Sequence, residues 1–285
     1  MTSHQIIDAH HHVWDLKVRP QSWITGERLG PLNRSFSVSD LEPEARAAGV
    51  TAGVVVQTVC GPKETPELLA LSACGGLVAG VVGWADLTAP DIADTLAGLR
   101  DGPGGAGLVG IRHQVQEEPD PNWLLRPDVR RGLNAVAEAG LAYDLVITPH
   151  QLPAAIAAAS GLPGLVFVLD HLGKPPIATQ ELTPWSDRIR QLAALPNTVC
   201  KLSGMVTEAR PGAWSVKDLQ PYADTVLDAF GPQRLLFGSD WPVSTLETDY
   251  GGIVRLTEQL TDALSPSEKD AVFRRNAARV YNLNR

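Results

Sequence analysis

Ile6-Ile7-Asp8-Ala9-His10-His11-His12-Val13-Trp14-Asp15 is a short apolar run that ends in three histidines. Read as a buried strand, it alternates with a period of two. Ile6, Asp8, His10 and His12 then fall on one face, and Ile7, Ala9 and His11 on the other. Two imidazoles point the same way from a rigid support, which suits a divalent cation or a substrate oxygen. A solvated histidine cluster has the same composition. A purification tag does not fit, because the run is only three long and its context is apolar and acidic.

Downstream of this strand, short apolar runs rich in β-branched residues or glycine alternate with longer Ala/Leu/Arg-rich amphipathic ones. That is a repeated β-α pattern. Strands are expected at 53–57, 78–84, 108–112, 141–147, 165–170, 198–202 and 234–238. Helices are expected to begin near Ser39, Pro66, Pro90, Gln151, Ser186, Val216 and Tyr250. The first has Ser39 as N-cap and Glu42 closing a capping box. A last helix runs from Ser265 to Tyr281, with Pro266 at its first position and Glu268 closing its box. The glycine-rich 102–107 does not follow a strand and open a helix, so it reads as a turn and not as a phosphate loop. Eight strands, each followed by a helix, in 285 residues favour a (β/α)8 TIM barrel over an open sheet. No linker divides residues 1–285, and one domain is the simplest reading.

The formal net charge is −8, with no basic block, so nucleic acid is not an expected partner. No apolar run reaches membrane-span length, and the opening residues do not form a signal peptide. Cys60, Cys74 and Cys200 lack metal-ligand spacing and read as reduced thiols of a cytoplasmic protein. A homo-oligomer is left open.

In such a barrel, chemistry gathers at the C-terminal ends of the strands. His10 and His12 end the first strand and Arg112 and His113 the fourth. His150 and His171 follow the fifth and sixth, Lys201 and Ser203 end the seventh, and Asp240 follows the eighth. Only His4 among the seven histidines lies elsewhere. The seven tryptophans, Trp14 and Trp241 among them, also fall at or after strand C-termini. Aromatic faces around a polar centre suit a sugar-like ring or an aromatic acid. Neither Ser203 nor Ser239 stands in a G-x-S-x-G elbow.

Six pieces in chain order carry a family resemblance: Ile7–Asp15, Val109–His113, Tyr143–Val146 with Pro149–Leu152, Asp170-His171-Leu172-Gly173-Lys174-Pro175, Cys200–Gly204, and Phe237-Gly238-Ser239-Asp240-Trp241-Pro242. Together they resemble the amidohydrolase superfamily, in the branch of sugar and muconate lactonases. That branch includes L-fuconolactonases, L-rhamnonolactonases and 2-pyrone-4,6-dicarboxylate lactonase. The resemblance implies that His10, His12 and Asp240 are metal ligands, with His171 or His150 completing the shell. Arg112 stands where two-metal members carry a bridging lysine or glutamate, so a two-cation site is not expected. The branch holds both mononuclear zinc enzymes and enzymes that work without metal, and both remain open.

The expected reaction is opening of a sugar-acid lactone, such as a fucono-, rhamnono- or galactonolactone, by water that Asp240 activates. His10, His12 and His171 would polarise the carbonyl. Arg112 and Lys201, with Arg210 as a weaker candidate, would bind hydroxyls or a carboxylate. His113, His150, Trp14 and Trp241 are further substrate-binding candidates. The alternative is metal-dependent, non-oxidative decarboxylation of an aromatic or muconate-type acid, since related barrels share the first and last motifs. A catalytically dead binding barrel is a third reading.

Overall fold

The structure is a computed structural model that describes residues 5–283. His4 lies outside the described residues. The eight strands are β1 (Ile6–His11), β2 (Val50–Val56), β3 (Val78–Gly83), β4 (Leu108–His113), β5 (Ala142–Leu145), β6 (Phe167–Leu169), β7 (Thr198–Leu202) and β8 (Leu235–Phe237). They pair in parallel in chain order. Closure comes just beyond β8, where the His12 N–H donates to the Trp241 carbonyl at 2.7 Å and the Asp240 N–H to the His10 carbonyl at 2.8 Å. The (β/α)8 barrel expected from the alternation is therefore the fold.

Two apolar layers hold it. Ile7, Ala9, Val54, Val56, Val82, Val168 and Leu236 fill the barrel interior, joined by Tyr281 and Leu283 from the C-terminal segment. Ile6, Val55, Val81, Ile111, Leu145, Leu169 and Phe237 face outward under the helices. Strands buried on both faces read as continuous apolar runs, as these do.

β1 departs from simple alternation. Asp8 lies opposite Gly53 and His11 opposite Val55, so three steps on β1 match two on β2. This β-bulge changes the facing of everything after it. Ile7 and Ala9 point inward with His10 and His12, while Asp8 and His11 point outward. The expected pairing of Asp8 with the two site histidines on one face is corrected here. The bulge is held by the Asp8 carboxylate, which accepts from the His10 N–H at 3.0 Å.

Helix boundaries differ where caps compete. The first helix, Val38–Ala47, takes Ser37 as N-cap and Asp40 as the reciprocal partner, not Ser39 and Glu42. Ser39 lies inside the first turn, where it has no orphan amide to cap. The C-terminal cap is as read, with Ser265, Pro266 and Glu268 in place. That helix continues through a π-helical turn, Ala271–Arg275, into Asn276–Val280. Among the described residues, no helix is long and apolar enough to cross a membrane. The three cysteines are free thiols.

Candidate active site

His10 and His12 rise from the bulged end of β1 with their Nε2 atoms 3.1 Å apart. His12 Nδ1–H donates to the Val56 carbonyl at 2.8 Å, which leaves its Nε2 as a lone pair turned to the site. Asp240 Oδ1 lies 3.8 Å from His10 Nε2 and 3.6 Å from His12 Nε2. His171 Nε2 lies 3.8 Å from the same oxygen. Four side chains from β1 and the loops after β6 and β8 thus converge on one point.

The backbone is strained where it delivers them. Asp240 is left-handed at φ 55°. His171, Leu172, Gly173 and Lys174 form four consecutive left-handed residues, with φ of 52°, 54°, 69° and 53°. Each non-glycine member costs roughly 1–2 kcal/mol, so the surroundings must hold the turn. Trp185 Nε1–H donates to the Leu172 carbonyl at 2.8 Å, and Ser203 Oγ lies 2.9 Å from His171 Nδ1. Gly204 leaves room for the ring, because a Cβ there would sit 2.6 Å from His171 Nδ1.

Beneath these residues lies a fully buried charged layer. Lys201 Nζ contacts His10 Nδ1 at 3.1 Å, Asp144 Oδ2 at 2.5 Å and Asp170 Oδ1 at 2.9 Å. Arg112 Nη1 donates to Asp170 Oδ2 at 2.9 Å, and its Nη2 donates to the Gln57 carbonyl. The Tyr281 hydroxyl closes the layer from the barrel floor, 2.8 Å from Asp144 Oδ2. Burial pushes the Asp144 carboxyl up to about 6, against the pull of Lys201. Burial also opposes ionisation of Asp170, but Lys201, His10 and Arg112 outweigh it and hold that carboxyl well below its usual range.

The same balance sets the groups above. Burial keeps His10 and His171 neutral, the latter at about 4. Asp240 is penalised by burial, yet the imidazoles of His171 and His12 beside it bring it below the ordinary carboxylate value. It is an ionised base beside the neutral imidazoles of His10 and His171, poised to accept a proton.

The donor set fits one tetrahedral cation. Bonds of about 2.0–2.1 Å place ligand atoms roughly 3.4 Å apart, and the separations among His10, His12 and Asp240 are 3.1, 3.6 and 3.8 Å. His10, Asp170 and His171 form a second cluster, but Asp170 is already committed to Arg112 and Lys201.

A cleft of about 220 Å³ opens over this point, lined by His12, Arg112, His171 and Asp240 below and by Trp23, Gln114, Gln116, Lys174, Thr207 and Glu208 above. Of the residues expected to bind substrate, only Arg112 reaches it. Lys201 is sealed beneath, at 0% exposure. His113 is stacked on Trp123 at 4.2 Å and hydrogen-bonded to Trp84 and Glu118 at 3.1 and 2.7 Å, on a side shelf. His150 is exposed on Thr148 at 2.8 Å, away from the metal-ligand cluster. Arg210, its Nε–H on the Ala178 carbonyl, lines a separate hollow beside Trp214. Trp241 is buried against Phe36, and Trp14 lines a different hollow beside Phe36 and Leu68. Residues the sequence reading passed over, notably Gln114, Gln116 and Lys174, supply the walls. Asp144 and Asp170, charges inside otherwise apolar strands, were the legible signal for the buried layer.

Fold and site together define a (β/α)8 barrel of the hydrolytic kind, with histidines of its first strand facing a carboxylate after its last. A family model described as amidohydrolase matches residues 7–283, and the chain belongs to that family. It is 38% identical over 283 residues to L-fucono-1,5-lactonase of Burkholderia ambifaria, covering 98% of this chain and 96% of that protein. Its identity to L-fucono-1,5-lactonase of Burkholderia multivorans is 39% over 288 residues, covering 97% and 96%. The crystal structure of an amidohydrolase from Burkholderia multivorans with bound zinc superposes with a TM-score of 0.92 at 38% identity, covering 98% of this chain and 99% of that one.

Proposed function

We propose that the protein hydrolyses the lactone of a monosaccharide-sized sugar acid, with L-fucono-1,5-lactone as the first substrate to test. The observation that carries the chemistry is the convergence of His10, His12 and His171 on the ionised Asp240 at the floor of the cleft. The substrate class is supported by whole-length similarity to two L-fucono-1,5-lactonases and by a cleft volume near 220 Å³. We place the enzyme in the cytoplasm, which its free thiols support.

Asp240 takes a proton from water as the oxygen adds to the lactone carbonyl. His171, fixed by Ser203, stands beside the same carboxylate oxygen and helps orient water and carbonyl. The tetrahedral oxyanion then collapses, the ring C–O bond breaks, and Asp240 returns the proton to the leaving ring oxygen. One zinc ion held by His10, His12 and Asp240, with His171 adjacent, would supply Lewis-acid polarisation and lower the pKa of water. Arg112 braces the floor through Asp170 and Gln57. Decarboxylation draws support from fold alone, and nothing in the cleft favours it.

Acid release from a panel of sugar lactones, followed with a pH indicator, tests the reading. The Asp240→Asn variant should keep its fold and lose about a hundredfold or more in kcat. Activity within tenfold of the parent would place the base elsewhere.

A further inference from the structure

Building on the lactonase reading, we propose that the cleft is selective for uncharged lactones and rejects those bearing a carboxylate, and that Glu208, by pairing with Lys174, is the residue that sets this choice. Two cations line the cleft, Arg112 and Lys174, against three carboxylates, Glu117, Glu208 and Asp240. Each cation already has a carboxylate partner. Arg112 is matched from behind by Asp170 at 2.9 Å, and Lys174 Nζ lies 3.3 Å from Glu208 Oε1, with both side chains a quarter exposed. The other two cations expected to bind a carboxylate do not help, since Lys201 is sealed below the floor and Arg210 is outside.

The remaining wall is neutral and hydrogen-bonding. Gln114 and Gln116, each with one N–H given to the Thr58 carbonyl and to Glu117, keep an amide oxygen and a second N–H for hydroxyls, Thr207 keeps an acceptor oxygen after donating to the Gly204 carbonyl, and Trp23 offers a face for the C–H side of a ring. A neutral polyol lactone exchanges water hydrogen bonds for those of this wall and brings no charge to desolvate. A far-end carboxylate at the rim, away from the metal-binding floor, meets Glu117 and Glu208 against the single cation Lys174, in a partly desolvated space where repulsion is stronger than in water. Lys174 is held at the rim by the left-handed turn that also carries His171, so it would be a ready clamp for a carboxylate if Glu208 did not occupy it.

The test compares D-galactono-1,4-lactone with D-galactaro-1,4-lactone, which differ only in a far-end hydroxymethyl or carboxylate. Both are used as inhibitors of L-fucono-1,5-lactone hydrolysis by the metal-loaded enzyme. In the parent, the galactarolactone should inhibit at least tenfold more weakly at low ionic strength, and added salt should narrow the gap. Glu208→Gln should strengthen galactarolactone inhibition at least tenfold, and adding Lys174→Met should abolish that gain. Equal or stronger inhibition by the galactarolactone in the parent, or no response to Glu208→Gln, overturns the proposal. If the parent opens no sugar lactone, the lactonase reading fails instead, and calorimetric binding of the same two compounds to parent and variants decides charge selection with the same criteria.

Discussion

The Asp8 carboxylate accepts both the Ser239 N–H at 2.9 Å and the Ser239 hydroxyl at 2.6 Å. These two residues join the first strand of the barrel to the loop after the last. Asp8 also takes the His10 N–H at 3.0 Å and the Tyr250 hydroxyl at 2.8 Å. One buried side chain therefore sets the bulge that aims His10 and the backbone that carries Asp240.

Asp8→Ala should destabilise the protein by about 2–4 kcal/mol, since several buried donors lose their acceptor at once. Activity should fall more than tenfold at temperatures where the variant is still folded. Tyr250→Phe removes a single hydrogen bond and should cost about 1 kcal/mol with little effect on turnover. Urea denaturation paired with lactone hydrolysis measures both, and equal effects from the two variants would refute the role given to Asp8.

Gly204→Ala should damage the site specifically. The residue is left-handed at φ 66°, and the new methyl would meet His171 Nδ1 at 2.6 Å. Gly212, at φ 62° with no atom within 4 Å of such a methyl, provides the control for strain alone. Both substitutions should cost roughly 1–2 kcal/mol of strain. Only Gly204→Ala should lower kcat by tenfold or more, and parallel losses in the two would show that His171 is not held this way.

Acid should unfold the metal-free protein through its neutral histidines. Burial depresses His11 to about 3, with the charges of His12 and Lys201 adding to it, and depresses His171 to about 4 from the ordinary 6.5. Below pH 6.5 the unfolded chain binds protons that the folded chain refuses, so stability falls as pH falls. The slope is about 1.4 kcal/mol per pH unit for each histidine. The fall should run from pH 6.5 to about 4, where His171 drops out, and His11 should extend it to about 3; between about 6 and 3.8 it is shallower, because Asp144, raised to about 6, takes up its proton in the folded state first and offsets one histidine. Thermal midpoints with chelator present measure it. A His11→Asn variant should show a shallower slope, and a flat profile in the parent would contradict the buried neutral state.

Chelation addresses the cation. Exhaustive dialysis against a chelator should remove activity, and zinc should restore it at about one ion per chain, because Asp170 of the second cluster is already committed to Arg112 and Lys201. Metal content and rate are measured on the same sample. Full activity without bound zinc would show that His10 and His12 act through hydrogen bonds alone.

The barrel and the convergence of His10, His12, His171 and Asp240 were legible in the chain. Alternating apolar periods record which segments are buried as strands and which as helices, and strand ends record where loops must gather. The helix at Val216 was placed correctly because Ser215 and Asp218 cap it within four residues, a purely local matter. Near Ser37, two overlapping cap patterns competed, and the chain leading in from Trp14 and Phe36 chose between them.

What only the tertiary structure decided was which polar residue faces which neighbour. The bulge at Asp8 depends on a serine 231 positions away, and Lys201 is drawn below the floor by Asp144 and Asp170, which come from other strands. Trp14 and Trp241 pack the mouth from outside, while Gln114, Gln116 and the Lys174–Glu208 pair form its walls. Local sequence encodes periodicity and caps because those act over a few residues. Side-chain partnerships across a closed barrel form between residues that no local pattern relates, so the chemistry's centre could be read from the chain but its selectivity could not.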